Sequence, residues 1–307
     1  MKLFINSAKE NLVVDRIRKE WNEYGSIPSL RTSNNADLIW IIAPWTWKKL
    51  SKRKLSKSKV LCTVHHIDED KFQKAELENF MQRDKYVDYY HVISEKTLQQ
   101  VKKLTSKPIK SIPFWVNGNL WFNIPDKQEL KLKYNIDSKS FLVGSFQRDT
   151  EGSDLVSPKL SKGPDRLVEI FKYLYSENKN TLILLAGKRR EYILQKCQEE
   201  GIPTLYFEMI DYSSLNELYN LLDLYIVASR YEGGPQAILE CAISKTPIIS
   251  TDVGISSEIL HPDSLFDMSN YQSAKVDIDH SYENVLKYKM PEHFEKFNSL
   301  LEEVYES

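Results

Sequence analysis

Short β-rich runs alternate with amphipathic stretches from the start of the chain. Residues 2–5, 36–42, 60–64, 89–93 and 109–113 read as strands, and residues 12–21 and 95–104 carry apolar side chains at helical spacing. Strand then helix, repeated, predicts a parallel sheet, since parallel neighbours need a crossover and a helix commonly supplies it. Pro113, Asn117, Gly118 and Pro125 interrupt the pattern, which places a domain boundary there, with units of 1–124 and 125–289. Beyond it, residues 141–145 read as a strand. Pro164 suits a first helical position, where its missing N–H has no intrahelical acceptor, and Leu167, Ile170, Phe171 and Leu174 follow at helical spacing. Strands at 182–186, 204–207, 224–228 and 247–251 and helices at 191–200, 215–222 and 235–243 complete a second doubly wound α/β unit. In the last segment, Phe297, Leu300, Leu301 and Val304 share one helical face, so a terminal helix over about 290–307 must pack on something.

With 307 residues, 41% of them hydrophobic and 28% charged, the chain is long enough for two ordinary cores and is ordinary for a globular protein. No apolar run approaches the roughly 18 residues of a membrane span, and residues 1–6 lack a signal-peptide core. Cytoplasmic residence is expected. Cys62, Cys197 and Cys241 are odd in number and sit in apolar pattern, which reads as buried reduced thiols. The charge is uneven: residues 1–124 hold 22 Lys and Arg against 13 Asp and Glu, leaving 20 against 30 for the rest. Much of the excess lies between Trp45 and Lys59, with seven cations from Lys48 onward. Tryptophans beside a cationic helix suit an anionic membrane surface at the inner face; a solvated helix face is the plain alternative, and no nucleic-acid motif accompanies the run.

The most informative stretch is Ser229, Arg230, Tyr231, Glu232, Gly233, Gly234, Pro235, Gln236, Ala237, Ile238, Leu239 and Glu240. A strand delivers the chain to it, two glycines allow close backbone approach, and a helix starts at Pro235. Amides near Gly233–Gln236 and the positive end of the helix dipole would face a phosphate or sugar oxygen. Glu232 in the loop and Glu240 two turns down the helix are strong acceptors for paired hydroxyls. A turn with two solvated glutamates is the plain alternative.

The spacing Glu-x7-Glu with Gly after the first Glu, followed by residues 247–254, resembles the donor site of the retaining family-4 glycosyltransferases of the GT-B fold. Upstream, the strand ending at Gly144, Ser145, Phe146, Gln147 and Arg148, and the helix start at Lys162, Gly163, Pro164 and Asp165, are similar to the elements that grip the donor diphosphate. In the first half, residues 60–68 with His65 and His66, residues 92–94, and Ile112, Pro113, Val116 and Asn117 with Phe122 behind them resemble the family more loosely. The resemblance implies two Rossmann-like lobes facing across a cleft, the second binding a nucleotide-sugar and the first the acceptor, with the terminal helix packed back on the first. It implies roles for Glu232 on sugar hydroxyls, Glu240 on the ribose, Arg148 and Lys162 on the diphosphate and His65 near the transferred sugar. His66, with Ile210 and the neighbouring Met209 near the base, completes the donor contacts. Transfer to a hydroxyl of a glycan or lipid-linked acceptor would retain anomeric configuration and serve polysaccharide or glycoconjugate synthesis.

Two features depart from the family. Residues 5–11 contain no glycine where a Gly-rich loop usually reaches towards the acceptor, and Ser244-Lys245 stands where a glycine commonly ends the helix. Asp68, Glu69 and Asp70 could mimic the metal motif of another glycosyltransferase fold, but beside the Glu-x7-Glu pattern no metal and no cofactor is expected. The competing functions are a nucleotide-sugar epimerase of related fold, for which His65 and His66 are the plain acid/base candidates, and a catalytically silent membrane-recruiting module.

Overall fold

The computed structural model describes residues 1–10, 12–152 and 154–307; Asn11, the last of the glycine-free residues 5–11, and Ser153 lie outside the described residues. The chain forms two compact units, one of Met1–Trp115 with Tyr288–Ser307, the other of Val116–Lys287. The first runs β1 (Leu3–Ile5), α1 (Val13–Tyr24), β2 (Leu38–Ile41), α2 (Lys52–Leu55), β3 (Lys59–Val64), α3 (Lys74–Asp84), β4 (Tyr89–Val92), α4 (Glu95–Lys102) and β5 (Ile109–Ser111). The second runs α5 (Lys127–Lys133), β6 (Phe141–Ser145), α6 (Pro164–Glu177), β7 (Thr181–Ala186), α7 (Glu191–Glu199), β8 (Thr204–Phe207), α8 (Tyr212–Leu221), β9 (Leu224–Val227), α9 (Gln236–Ile243), β10 (Ile248–Thr251), α10 (Ser256–Ile259), β11 (Leu265–Phe266) and α11 (Ile278–Val285). Helix α12 (Phe294–Glu306) ends the chain.

The division falls at Trp115/Val116 rather than at 124/125. Residues after Val116 are fastened to α8: Phe122 N–H donates to Asn216 Oδ1 at 3.2 Å, Ile124 N–H to Asn220 Oδ1 at 2.7 Å, and buried Trp121 meets Tyr219 edge-on at 5.6 Å. Of the proline- and glycine-bearing stretch that interrupts the pattern, Pro113 closes the first unit and Asn117, Gly118 and Pro125 belong to the start of the second, held by two buried asparagines.

The first sheet is parallel with its strands in chain order, β1-β2-β3-β4-β5. Strand β2 is buried throughout, sending Leu38 and Trp40 to one face and Ile39 and Ile41 to the other, the continuous apolar run of a strand covered on both sides. Crossover residues Trp47, Leu55, Phe80, Leu98 and Val101 cover the second face. The first face is covered by α1 and by α12, whose Phe294, Phe297, Leu300, Leu301 and Val304 join Trp21, Trp40 and Trp115 in one core. Phe297 lies parallel to Phe114 at 5.8 Å and stacks at 25° on Trp40 at 5.6 Å. Beneath it runs a buried polar chain: Trp40 Nε1–H donates to Thr63 Oγ1 at 2.8 Å, Thr63 meets His91 Nδ1 at 2.9 Å, and His91 Nε2 meets the Ile112 carbonyl at 2.7 Å. Burial pushes the His91 pKa down to about 3, so the ring is neutral, and a donating Nε2–H with an accepting Nδ1 satisfies every bond in the chain.

The second sheet is parallel with order β11-β10-β9-β6-β7-β8. The chain starts in the middle at β6, winds out to β8, then returns to β9 beside β6 and winds the other way. That reversal creates a crevice at the carboxyl ends of β6 and β9, where ligands of such sheets bind. Helix α9 closes with the reciprocal bonds of a glycine-type ending, Thr246 N–H to the Cys241 carbonyl at 2.8 Å and Lys245 N–H to the Ala242 carbonyl at 3.2 Å. Lys245 takes the left-handed conformation itself, φ 57°, and its ammonium lies 4.3 Å from the Tyr282 ring centre. The absent glycine is thus replaced by a lysine that accepts the strain.

Phe297→Ala is expected to lower the stability of the first unit by about 3–5 kcal/mol in urea unfolding followed by tryptophan fluorescence, and Phe297→Leu by less than about 1.5 kcal/mol. A loss below about 1 kcal/mol for the alanine variant would show that α12 is not part of this core.

Candidate functional site

At the reversal point four segments converge. The chain leaves β6 through Phe146 and Gln147, enters α6 through Lys162 and Gly163, leaves β9 into Ser229–Glu232, and turns after β10 at Gly254. The packing between them is at backbone distance. Gly163 is left-handed at φ 64°, and a Cβ there would lie 2.0 Å from the Ala228 carbonyl oxygen; Gly254, at φ 55°, would put one 2.2 Å from the Gly233 carbonyl oxygen. Only glycine fits either place. Arg230 N–H donates to the Ser161 carbonyl at 2.8 Å, and its guanidinium forms a fork with Asp165, at 2.8 and 2.6 Å, tying the loop after β9 to the first turn of α6. Thr251 Oγ1 donates to the Ser229 carbonyl at 2.7 Å, tying the same loop to β10.

These ties bring Glu232 and Lys162 into an ion pair, with the Glu232 side chain 6% exposed and the lysine 20%. The same carboxylate oxygen accepts from Gln147 Nε2 at 3.1 Å and faces the buried Ser229 hydroxyl at 3.2 Å, which is also 3.2 Å from Gln147 Oε1. Arg148 is exposed beside this cluster. Lys159 is half-buried, and its pKa is pushed down to about 8, first by burial and then by the nearby positive charges of Arg148 and Lys162, against the pull of Glu232. Three cations around one carboxylate form a setting for a doubly charged anion such as a diphosphate. Lys159 is placed by its loop: its N–H donates to the Asp149 carbonyl at 2.7 Å, Thr150 and Pro158 form a bridge, and Asp149 pairs at 3.3 Å with fully buried Arg190.

Helix α9 starts at Gln236, with Pro235 as its N-cap at ψ 113° rather than as its first residue. Gly233 and Pro235 are buried, Gly234 half-buried. Glu240, about one turn into α9, is 5% exposed and accepts from Tyr219 Oη at 2.8 Å. Ile210 is half-buried in the turn after β8, and Met209 beside it is 71% exposed. That turn leaves the edge strand, with β7 and β6 between it and β9. His65 and His66 follow β3 in the first unit. His65 Nε2 bonds the Ile42 carbonyl at 2.7 Å, its ring lies 5.6 Å from Trp45 and 5.8 Å from Phe114, and burial pushes its pKa down to about 4. His66 is exposed.

The structure thus brings together Lys162, Arg148, Glu232 and the Gly233–Gln236 backbone, sets Glu240 about one turn of α9 behind them, and leaves the histidines in the other unit. Sequence reading passed over Gln147 and Lys159 as site residues. Gln147 lies two residues past a strand that ends at the sheet's reversal and was legible in principle; Lys159 lies in an irregular loop and was not.

Residues 157–298 match the family model described as Glycosyl transferases group 1. The solved structures with similar folds include Anabaena HepE in complex with UDP and glucose, 13% identical with TM-score 0.72 over 98% of this chain and 99% of that one. They also include sucrose-phosphate synthase from Thermosynechococcus elongatus, 17% identical with TM-score 0.70 over 88% of this chain and 74% of that one. The fold is GT-B. A curated relative, the lipopolysaccharide core biosynthesis mannosyltransferase LpsB of Rhizobium meliloti (strain 1021), is 23% identical over 142 residues, which is 44% of this chain and only 38% of that protein's length. The group 1 match holds Lys159, Lys162 and the whole 229–240 stretch of this GT-B chain, while Gln147, Arg148, His65 and His66 precede it.

Because Lys159 titrates near pH 8, pyrophosphate measured by calorimetry is expected to bind more weakly as pH rises from 7 to 9, when the lysine loses the charge that the anion needs. Lys159→Met should flatten that slope. A slope unchanged by the substitution would place the titrating cation elsewhere.

Proposed function

We propose that this chain is a retaining glycosyltransferase that moves a sugar from a nucleoside-diphosphate sugar to a hydroxyl of a glycan or lipid-linked acceptor. The observation that carries the proposal is the Lys162–Glu232 pair at the reversal point of the second sheet, beside the start of α9. Without donor, the carboxylate and the ammonium neutralise each other. A diphosphate entering beside Arg148, Lys159 and Lys162 gives the lysine a stronger partner and releases Glu232 to accept hydrogen bonds from sugar hydroxyls. The amides of residues 233–236 and the helix dipole face the same ligand. Glu240 accepts from ribose hydroxyls, and Ile210 packs near the base. The family resemblance gives His65, held neutral by burial, a role on the transferred sugar, with His66 beside it in sequence.

In the reaction, the bond between the anomeric carbon and the diphosphate oxygen breaks as the acceptor hydroxyl bonds to the same face. The departing phosphate oxygen takes the acceptor's proton, and the cations stabilise the charge that develops there. This needs no metal ion, since side-chain cations do that work. Support for the donor comes from relatives: the HepE structures hold UDP, glucose or UDP-glucose. LpsB, similar to this chain over 142 residues, is a lipopolysaccharide core mannosyltransferase. A role in polysaccharide or glycoconjugate synthesis follows. The exposed cations Lys48, Lys49, Lys52, Arg53 and Lys57, with half-exposed Trp45, suit an anionic membrane surface that would present a lipid-linked acceptor at the inner face. Among the described residues no helix is long and apolar enough to cross a membrane.

The test is incubation with UDP-, GDP- and ADP-sugars, with and without glycan acceptors, read by proton NMR. The expected result is acceptor-dependent transfer with the donor's anomeric configuration kept. An inverted product would overturn the front-face step, and a modified sugar without acceptor would favour an epimerase. Glu240→Ala is expected to weaken donor binding about tenfold, the loss of one hydrogen bond to a charged group, with the fold intact by circular dichroism; unchanged affinity would remove it from the ribose.

A further inference from the structure

The first unit contains a cavity of about 300 Å³ made by the loop after β3 and one face of α3. Its walls are fixed. Phe72 N–H and Lys71 N–H donate to the Asp68 carbonyl at 2.8 and 3.0 Å, Gln100 Nε2 donates to the Ile67 carbonyl at 3.3 Å, and Trp47 Nε1–H donates to Asn79 Oδ1 at 3.1 Å. Trp45 and Phe72 supply aromatic faces to the lining.

Two lining groups are unsatisfied. Arg83, on the last turn of α3, is only 7% exposed, yet its Nε donates to nothing and no described carboxylate pairs with its guanidinium, which lies 5.2 Å from the Phe80 ring centre. Asp68 Oδ1 is likewise buried without a donor. A buried guanidinium Nε–H and a buried carboxylate oxygen, each without a hydrogen bond, are costly in a protein interior, and a ligand that completes both recovers that cost. The ligand must therefore offer an anionic acceptor to Arg83 and a hydroxyl donor to Asp68, with a C–H face for the aromatic walls. A sugar that carries an acid group combines the three.

The geometry points to a binding site for an acidic sugar, a uronate or a sugar phosphate, in the first unit, held by Arg83 and Asp68. As a class of acceptor this rests on the transferase reading; as a binding site it does not. The site takes the acid group on the guanidinium, at the inner end, and leaves the remaining hydroxyls towards Trp45 and His65 at its mouth.

The experiment titrates the full chain with glucuronate, glucose 6-phosphate and glucose, reading the Trp45 indole resonance by NMR, with UDP affinity as a separate readout of the second unit. At least one acidic sugar should bind tenfold or more tightly than glucose, the carboxylate and phosphate arms telling the two sources apart. Arg83→Met should erase the preference while leaving UDP affinity unchanged. Asp68→Asn, in a loop, should weaken the acidic sugar about tenfold, so the inference is decided even if the Arg83 variant does not fold. Equal binding of all three sugars, or variants that bind as the wild type does, would overturn it. Acidic-sugar binding without any UDP-sugar turnover would instead remove the transferase reading and keep the site.

Discussion

At Gly163 the backbone of the α6 start comes so close to the end of β9 that a side chain has no room: a Cβ would stand 2.0 Å from the Ala228 carbonyl oxygen. The candidate donor site depends on that approach. It carries Lys162 to Glu232, lets Arg230 and Tyr231 donate to Ser161, and leaves Asp165 within the reach of the Arg230 fork. The same device recurs at Gly254 against Gly233, so the loop after β9 is clamped from both neighbouring segments by contacts that only glycine allows. A loop fixed by backbone packing holds Glu232 and the first amides of α9 without relying on the ligand, which is the preorganisation that phosphate and sugar recognition needs.

The cations around that loop come from a separate arrangement. Lys159 stands where it does because its loop folds back on Asp149, and Asp149 is anchored by Arg190, buried completely at the start of α7. Burying a charged pair contributes little to stability by itself. Here it fixes the base of the loop that carries a second amine to the carboxylate. The depressed pKa of Lys159 expresses the consequence: positive charge is concentrated beyond what one glutamate neutralises, and an anion completes the set.

How much of this could be read in the sequence varied with how local the cause is. Lys162, Glu232 and Ser229 were legible because strand ends and helix starts are marked by apolar runs, glycine and proline. Most elements of both sheets were too, since each is a short apolar run between turn residues. Helix α3 was not read as a helix, because it begins at Gln73, a weak N-cap residue that works here only through the reciprocal bond with Glu76. Nor was β11, two residues long, or α11, polar on most faces. The unit boundary slipped because Asn216 and Asn220, nearly a hundred residues away, hold Phe122 and Ile124. Lys159 and the unsatisfied Arg83 depend on which segments meet in space, and no spacing in the chain records that.

The central claim is that the reversal point of the second sheet holds a nucleoside diphosphate. A crystal structure of the chain grown with UDP tests it most directly. The diphosphate is expected at the carboxyl ends of β6 and β9, within hydrogen-bond distance of Lys159, Lys162 and the backbone amides at the start of α9, with Lys162 turned away from Glu232. UDP bound elsewhere, or bound there with the Lys162–Glu232 pair intact and no cation on the phosphates, would contradict it.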